Sequence, residues 1–250
     1  QYAAAHLEQW MQRDERELEP ELYGSSKAYI EFQPKGVIGN MPAWNFPVDL
    51  SVGPLVEMLA AGNRVIIKPS EQTPAVGQLL AEMLGDTFAR AQVPVVNGRL
   101  DLARHFSTLK WDHLLYTGNT AVGKEVMRNA AQNLVPVTLE LGGRNPTVFT
   151  EDAVTRDSVR IMLGSKLTKN GQLCIAVNHV LVPENSRDKF IGLVREVIES
   201  AVGDYTTSPQ VGCAVINAKQ MARVQSYLDD ARERDADGVI EIGSPASAAN

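Results

Sequence analysis

One cysteine in this sequence follows a polar turn that contains a glycine. Cys174 comes directly after Asn170-Gly171-Gln172-Leu173. We expect this turn to expose the thiol and to surround it with backbone N–H donors, a setting that suits a nucleophile. The alternative is a buried cysteine that packs as a small hydrophobic residue. The second cysteine, Cys213, has no such turn, and we predict that it packs in the interior.

A carboxylate and an amide are candidates for the other groups of a thiol-based reaction. Glu140 ends an apolar run that begins at Val135, and apolar surroundings suit a carboxyl that acts as a general base. A helix cap or a salt bridge is the more common role of such a glutamate. Asn45 lies between Trp44 and Phe46, and its amide could donate to an oxyanion. The alternative for this segment is a turn with core aromatic side chains.

Two segments contain residues that suit the binding of a dinucleotide. In the first, Lys68 and Glu71 follow a β-branched strand and could hydrogen-bond the two hydroxyls of an adenosine ribose. A carboxylate there would repel a 2′-phosphate, which favours NAD over NADP. In the second, a glycine turn joins a strand to a helix whose first N–H groups could receive a pyrophosphate. Each segment alone is more typical of a loop that begins a helix. The segments read Lys68-Pro69-Ser70-Glu71 and Thr117-Gly118-Asn119-Thr120-Ala121-Val122-Gly123.

Strands and helices alternate around these segments. Short apolar and β-branched runs predict strands, and apolar residues at helical spacing predict the helices between them. This alternation predicts an α/β fold with a mainly parallel sheet that is covered on both faces. The predicted strands are 64–68, 93–97, 113–117, 135–140, 147–150 and 175–182, and the predicted helices lie near 52–59, 76–88, 122–130, 153–169, 190–201 and 221–228.

The N-terminal part of the sequence has a different pattern. Residues 2–14 carry apolar side chains at helical spacing, and the charged run 14–19 predicts a solvated helix end or a loop. Residues 28–37 combine β-forming and polar residues with a Pro34-Lys35-Gly36 turn, which predicts a β-hairpin. Farther along, the paired glycines Gly142-Gly143 break the alternation, so we predict a domain boundary there.

Composition excludes several classes of protein. A formal net charge of -6 and a pI near 5.3 argue against a nucleic-acid binder. No apolar stretch reaches the roughly 18 residues that a membrane span needs. Two cysteines exclude a disulfide scaffold, and four separated histidines have no spacing for zinc. We therefore expect a reduced, cytoplasmic protein without a structural metal.

Taken together and in this order, the segments resemble the aldehyde dehydrogenase superfamily. The similarity extends from about residue 28 to about residue 220, and it is strongest to the coniferyl aldehyde dehydrogenase and class 3 branches. The resemblance implies a Rossmann-like cofactor domain in residues 1–141, with an oligomerisation-type hairpin at 28–37. It implies part of an α/β catalytic domain in residues 142–250. The motifs that carry it are Trp44-Asn45-Phe46-Pro47, Gly62-Asn63, Lys68-Pro69-Ser70-Glu71, the 117–123 turn, Glu140-Leu141-Gly142-Gly143 and Gly171-Gln172-Leu173-Cys174.

The resemblance also implies a role for each candidate residue. Cys174 would attack an aldehyde, Asn45 and the Cys174 N–H would hold the oxyanion, and Glu140 would activate the water that releases the acid. The substrate would be an aromatic aldehyde such as coniferaldehyde, or a long-chain aldehyde. The cofactor would be NAD, with NADP as the alternative. It would be bound by Trp44, Lys68, Ser70, Glu71, Gly118, Asn119, Thr120 and Gly123.

Departures from the family pattern keep other functions open. Leu173 replaces the usual threonine, and a Glu-x-Phe-Gly-Pro segment is missing, so the chain resembles the central part of such an enzyme. One alternative is a non-catalytic fragment or pseudoenzyme that keeps the fold and nucleotide binding. Another is a semialdehyde reductase that handles an acyl phosphate, although the general base Glu140 argues against it. The expected partners are a small aldehyde and, in the full-length form, a second copy in a homodimer; neither nucleic acid nor a membrane is expected.

Overall fold

The computed structural model describes residues 1–201, 213–235 and 238–239. The chain divides into two compact units, Gln1–Leu141 and Gly142–Asn250. Each unit contains parallel strands that are connected by helices. The prediction of an α/β fold is therefore confirmed.

The first unit begins with a short antiparallel strand pair. Its first elements are α1 (Tyr2–Trp10), β1 (Asp14–Arg16), α2 (Pro20–Tyr23) and β2 (Ala28–Ile30). β1 pairs with β2, with Glu15 opposite Tyr29. The charged run 14–19, predicted as a helix end or a loop, therefore begins as an exposed strand.

The hairpin predicted within residues 28–37 is wrong. Its first half pairs with β1, and its second half enters a parallel sheet at Val37. Two hydrogen bonds fix the intervening turn to that sheet: Gly36 N–H donates to Asn63 Oδ1 at 3.0 Å, and Val37 N–H donates to Asp112 Oδ2 at 2.7 Å. The run that starts at Val37 becomes buried almost along its whole length, which is typical of a parallel strand in a sheet interior. It therefore pairs inside the sheet and does not fold back on β2.

The main sheet of the first unit is parallel throughout. The unit continues with β3 (Val37–Met41), α3 (Asp49–Ala60), β4 (Arg64–Ile67), α4 (Pro74–Thr87), α5 (Leu100–Ser107), β5 (His113–Gly118), α6 (Thr120–Ala131) and β6 (Val137–Leu141). The four strands lie in the order β4-β3-β5-β6. The sequence did not predict α5, because its eight residues bury only Phe106 and Ser107.

The predicted strand 93–97 contributes a single bridge to this sheet. Val95 pairs in parallel with Ile67, and Val96 N–H donates to Ile67 O at 2.9 Å. Pro94 has no N–H to donate, which limits the ladder. With this segment beside β4, the order across the sheet is 93–97, β4, β3, β5, β6.

Apolar strand residues hold the helices on the sheet. Val65, Ile67 and Leu114 are fully buried, and burial of each such side chain contributes about 1.5–3 kcal/mol. One cluster packs β5 against α5 and α6, and another packs β4 against α3 and α4. These contacts hold the strand ends, and the segments that leave them, in fixed register.

The second unit has its own parallel strand pair. Its elements are β7 (Asn145–Val148), α7 (Arg156–Leu167), β8 (Val177–Leu181), α8 (Arg187–Ala201) and α9 (Ala218–Arg234). β7 and β8 are parallel neighbours, and α7 lies between them in the sequence. Their core is formed by Phe149, Val154, Val159, Met162, Leu163 and Val197. Among the helices of the described ranges, none is long and apolar enough to cross a membrane.

Candidate active site

The sheet of the first unit places several predicted site residues along one edge. Because its four strands are parallel, the segments that follow them leave the sheet on the same side. Lys68 follows β4, Asn45 lies in the segment after β3, Gly118 ends β5, and Glu140 is the penultimate residue of β6. The fold therefore gathers residues that are far apart in the sequence at the carboxyl edge of one sheet.

The strand order creates a topological switch point at this edge. β3 lies between β4 and β5, so the chain leaves β3 toward one side and later returns to add β5 on the other. Open α/β sheets bind their ligands outside the carboxyl ends of the strands at such a point. The segments that flank it are residues 42–48 after β3 and Gly118-Asn119 after β5.

A buried ammonium group lies at one end of this edge. Lys68 is only 2% exposed, and its Nζ donates to Glu71 Oε2 at 3.1 Å and to Pro69 O at 2.9 Å. A buried charge is stable only when it is paired and hydrogen-bonded. The turn that brings the pair together is closed by Thr73 N–H, which donates to Ser70 O at 3.2 Å. A donor and an acceptor thus lie side by side, as two neighbouring hydroxyl groups require.

The surroundings of Glu71 favour its ionised form. Partial burial opposes ionisation, but hydrogen bonds from the Glu71 backbone N–H and from Lys68, together with the Lys68 charge, outweigh it. The pKa of Glu71 is therefore held below its ordinary value of 4.5. The carboxylate at this edge is negatively charged at neutral pH.

The glycine turn after β5 leads directly into helix α6. Asn119 is the N-cap of α6, and its Oδ1 accepts a hydrogen bond from Ala121 N–H at 2.8 Å. The positive end of the helix dipole therefore lies at the carboxyl edge of the sheet. Gly123 is buried against β6, where an added Cβ would come within 2.8 Å of the Leu141 side chain. The absence of a side chain at Gly123 lets α6 pack closely on the sheet.

Tyr116 belongs to this site, although the sequence analysis did not select it. Its hydroxyl occupies the space that a Cβ on Gly118 would need. Burial, with a further contribution from the Glu71 charge, raises the pKa of Tyr116 above its ordinary value of 10.0. The Tyr116 hydroxyl also donates to Asn119 O at 3.5 Å, so Tyr116 packs against the glycine turn. In the sequence, Tyr116 lies inside an apolar run that predicts a strand, and that position indicates only a core residue.

The segment with Trp44 and Asn45 is anchored at its exit into α3. Both side chains are half-buried. Ser51 Oγ donates to Pro47 O at 2.6 Å, which fixes the segment to the first turn of the helix. The sheet edge and this anchor together hold the Asn45 amide at the switch point.

Glu140 is exposed, so the expectation of apolar surroundings is wrong. Exposure alternates along β6: Val137, Leu139 and Leu141 are half-buried, whereas Thr138 and Glu140 point to the other face. The mostly apolar run 135–141 does not show by residue type which of its side chains face the sheet's exposed side, although neighbouring side chains of a strand point to opposite faces. Within the first unit, Glu140 is accessible to water.

Cys174 belongs to the second unit, and its thiol is exposed, as predicted. The turn before it is unusual, because Lys169, Asn170 and Gly171 all have left-handed backbone angles, with φ of 50°, 53° and 72°. Left-handed residues other than glycine are strained and concentrate at functional sites. The strained turn therefore comes just before Cys174, and Cys174 in turn lies just before β8.

The glutamine of this turn braces it to a later segment. Gln172 Nε2 donates to Ala214 O at 3.1 Å, and Gln172 Oε1 accepts from Ile216 N–H at 3.1 Å. Cys213 Sγ lies 3.7 Å from Gln172 Nε2. Cys213 is exposed, so the prediction that it packs in the interior is wrong.

Two further observations, on metal-binding groups and on a cavity, concern the described part of the chain. Within that part of the chain, no group of three or more histidine, cysteine, aspartate or glutamate residues has an arrangement that could hold a metal ion. A cavity of about 330 Å³ lies between α4 and the 93–97 segment. Its lining residues are Ala81, Gly85, Arg90, Val93, Pro94 and Val95, so none of the predicted site residues forms it.

A parallel sheet with a charged pair and a glycine turn at its carboxyl edge, together with an exposed cysteine on a second unit, places this chain in the α/β class. The model of the aldehyde dehydrogenase family matches residues 1–249. The chain belongs to the aldehyde dehydrogenase family.

Individual relatives agree with this assignment. A probable coniferyl aldehyde dehydrogenase of Pseudomonas aeruginosa is 43% identical over 235 residues, which are 94% of this chain and 49% of that protein. Staphylococcus aureus AldH in a substrate-bound state is 29% identical, with a TM-score of 0.86 over 98% of this chain and 52% of that one. A Mycobacterium tuberculosis aldehyde dehydrogenase complexed with NAD+ is 27% identical, with a TM-score of 0.80 over 93% and 48%. The chain thus spans about half the length of the relatives it matches.

Proposed function

We propose that this chain is part of an enzyme that oxidises an aldehyde to a carboxylic acid with NAD, through a covalent intermediate on Cys174. The observation that carries the proposal is the exposed thiol of Cys174 at the end of a strained turn, in a member of the aldehyde dehydrogenase family. Residues 1–141 serve as the NAD-binding domain. Residues 142–250 form part of the catalytic domain.

The carboxyl edge of the first sheet fits a dinucleotide. Lys68 and Glu71 offer a donor and an acceptor for the adenosine ribose, and the charge of Glu71 disfavours a 2′-phosphate and therefore NADP. The N-terminal end of α6 offers its dipole to the pyrophosphate. The residues assigned to the cofactor are Trp44, Lys68, Ser70, Glu71, Gly118, Asn119, Thr120 and Gly123. One of the solved relatives contains NAD+, which supports this assignment.

The reaction divides into capture of the aldehyde and hydrolysis. The Cys174 thiolate adds to the carbonyl carbon, and the Asn45 amide and the Cys174 N–H hold the oxyanion that forms. Bound NAD supplies the acceptor for the hydride, which leaves a thioester on Cys174. Glu140 then takes a proton from the water that attacks the thioester, and the acid leaves as the Cys174 thiolate is released.

We assign an aromatic aldehyde such as coniferaldehyde as the first substrate to test, with long-chain aldehydes as the alternative. The support is the name of the 43% identical Pseudomonas aeruginosa relative. We also propose that the full-length protein is a homodimer, in which the β1–β2 pair takes part. The exposed apolar side chains Tyr29, Ile30 and Phe32 support that role.

The test is NADH formation by the full-length protein with coniferaldehyde, benzaldehyde and hexanal. Cys174→Ser is expected to lose at least about 10³-fold in turnover, because a hydroxyl is a far weaker nucleophile than a thiolate. The matched control is Cys213→Ser, which removes the other exposed thiol and is expected to retain activity. Unchanged turnover in Cys174→Ser would overturn the proposal. Nucleotide binding without turnover by the folded wild-type protein would support the non-catalytic alternative.

A further inference from the structure

The side chain of Asn145 holds the backbone on both sides of the residue that follows Cys174. Asn145 Nδ2 donates to Cys174 O at 2.7 Å and to Ala176 O at 2.9 Å. A side-chain amide has two N–H donors on its nitrogen, so both are used on this segment. Ala176 is buried, whereas Ile175 between the two carbonyls is 75% exposed. The amide therefore fastens a turn over Leu173–Ala176, which Ala176 N–H closes by donating to Leu173 O at 3.3 Å.

These bonds continue the pairing of β7 with β8 beyond the end of the backbone ladder. Asn145 pairs with Val177, and the register shifts by one residue before Pro146 pairs with His179. Pro146 cannot donate to the ladder because it has no N–H. The Asn145 amide supplies two donors to the residues just before β8, where Cys174 lies. The segment that carries the thiol is thus attached to β7 through one side chain.

The absence of a side chain at Gly143 leaves room for this arrangement. A Cβ at that position would lie 2.9 Å from Asn145 Oδ1 and 3.2 Å from Cys174 O. Both distances are shorter than ordinary van der Waals contacts, so either the amide or the Cys174 carbonyl would have to move. Gly143, Asn145 and the Cys174 carbonyl form one packed group within the second unit.

We propose that Asn145 is a positioning residue for the Cys174 nucleophile, an inference that rests on the proposed function. Holding the Cys174 carbonyl fixes the plane of the Cys174–Ile175 peptide group, and that plane sets the direction in which the thiol projects. The strained turn at Lys169–Gly171 fixes the segment on the other side of Cys174. Asn145 therefore restrains the C-terminal side of the nucleophile's backbone, in addition to the 3.3 Å hydrogen bond from Ala176 N–H to Leu173 O. Misplacement of a reacting group by about 1 Å can lower a rate about 10²-fold.

The test replaces Asn145 with leucine in the full-length protein. Asn145→Leu keeps the approximate shape, removes both donors and adds no charge. The matched control is Asn133→Leu in the first unit, where Asn133 Nδ2 donates to Thr108 O at 2.8 Å. The primary readout is the rate of the first NADH-forming turnover per active site, with site concentration taken from the burst amplitude. The KM for NAD is measured beside it.

The expected result for Asn145→Leu is a first-turnover rate that is about 10- to 100-fold lower, with a KM for NAD within about twofold of the wild type. A purely structural role would lower the burst amplitude and the Tm, but it would leave the rate per active site unchanged. A second variant, Gly143→Ala, shifts the amide without removing it, and we expect a loss of about three- to tenfold. If Asn145→Leu fails to fold, the first-turnover rate of Gly143→Ala tests the positioning role instead.

The outcomes separate this inference from the proposed function. If Cys174→Ser is inactive while Asn145→Leu and Gly143→Ala keep the wild-type first-turnover rate, the positioning role is wrong and the proposed function stands. If Cys174→Ser keeps full turnover, the proposed function fails and the positioning role fails with it. An equal loss in Asn133→Leu would also overturn the inference, because it would show a general response to losing an asparagine.

Discussion

Asn40 completes a hydrogen bond that the backbone of helix α3 cannot make. Its Nδ2 donates to the carbonyl oxygen of Leu50 at 3.2 Å. In a regular helix that oxygen accepts from the N–H four residues later, and here that residue is Pro54, which has none. Asn40 is fully buried at the end of β3. The strand thus supports the helix that follows the Trp44-Asn45 segment.

Because Asn40 replaces the N–H that Pro54 lacks, substitutions of Asn40 and Pro54 are expected to have non-additive effects on the free energy of unfolding. Asn40→Ala is expected to lower the free energy of unfolding by about 1–3 kcal/mol, since it leaves the partly buried Leu50 carbonyl without its side-chain donor. In a Pro54→Ala background the residue 54 N–H is restored, so the same substitution is expected to cost about 1 kcal/mol less. Urea unfolding of the four proteins measures the coupling. Strictly additive effects would contradict the assigned partnership.

The Lys68–Glu71 pair predicts an acid-dependent loss of stability. The folded state holds the pKa of Glu71 below its ordinary value of 4.5. The ionised carboxylate therefore stabilises the fold fully above pH 4.5, and this stabilisation is lost as the pH falls through the lower folded-state pKa. In Glu71→Gln the Tm is expected to be lower than in the wild type at neutral pH. The difference is expected to shrink as the pH falls below 4.5 toward the lower folded-state pKa.

A matched glutamate tests whether this effect belongs to the buried lysine. Glu82 is an exposed carboxylate on α4 that accepts from the uncharged Gln78 at 2.8 Å. Glu82→Gln removes one carboxyl without removing the partner of a buried cation. If the Tm difference of Glu71→Gln stayed constant as the pH fell well below 4.5, the ionised Glu71 carboxylate, with its backbone and Lys68 hydrogen bonds, would not be its cause.

Close packing between Gly118 and Tyr116 predicts that an alanine at the glycine turn distorts the cofactor edge. A Cβ on Gly118 would collide with the Tyr116 hydroxyl and would lie 2.8 Å from its ring carbon Cζ. Gly118→Ala is expected to destabilise the fold by about 1–3 kcal/mol and to weaken NAD binding. Adding Tyr116→Phe removes the hydroxyl but leaves the ring, so we expect partial recovery of both. Urea unfolding and calorimetric NAD titration provide the two measurements.

A glycine without close neighbours is the control for that substitution. Gly192 lies within α8, and side-chain crowding is absent there, because no neighbouring residue comes within 4 Å of a Cβ placed on it. Gly192→Ala is expected to stabilise the fold by about 0.5–1 kcal/mol, because alanine favours the helix. Destabilisation by both glycine substitutions would contradict a steric effect that is specific to Tyr116.

The sequence predicts β4, β5 and β6 because parallel strands that are buried on both faces have apolar runs, as in Arg64–Ile67 and His113–Gly118. It does not predict β3 (Val37–Met41), whose first residue falls at the end of the predicted hairpin. It predicts short, exposed elements poorly. β1 has three exposed charged residues, and α5 has only eight residues, of which two are buried. The predicted hairpin is wrong because the Pro34-Lys35-Gly36 turn indicates a change of chain direction but does not specify which strands pair; residues 28–30 pair with β1, and the strand that starts at Val37 pairs with β4.

Site residues follow a similar division. Motif order predicts Cys174 as the nucleophile, its predicted exposure is confirmed, and parallel topology places Lys68 and Glu140 at one sheet edge. The sequence does not indicate Asn145 or Tyr116, because the hydrogen bond of Asn145 to Cys174 O and the packing of Tyr116 on Gly118 depend on backbone positions that residue type and spacing do not encode. The exposure of Glu140 was misjudged because alternate residues of β6 face opposite sides.

Glu140 provides the prediction that separates hydrolysis from aldehyde capture. Because Glu140 is exposed within its unit, it has access to the water that it is proposed to activate. In Glu140→Gln, the first NADH-forming turnover is expected to remain and later turnovers to slow about 10²–10⁴-fold, since loss of a general base blocks thioester hydrolysis. Rapid-mixing absorbance resolves the burst from the steady state, and mass spectrometry detects the acyl group on Cys174.

Glu196→Gln, which removes an exposed carboxylate paired with Arg156 at 2.7 Å, is the control and is expected to keep the steady-state rate. Loss of the burst itself in Glu140→Gln would assign Glu140 to aldehyde capture and not to hydrolysis.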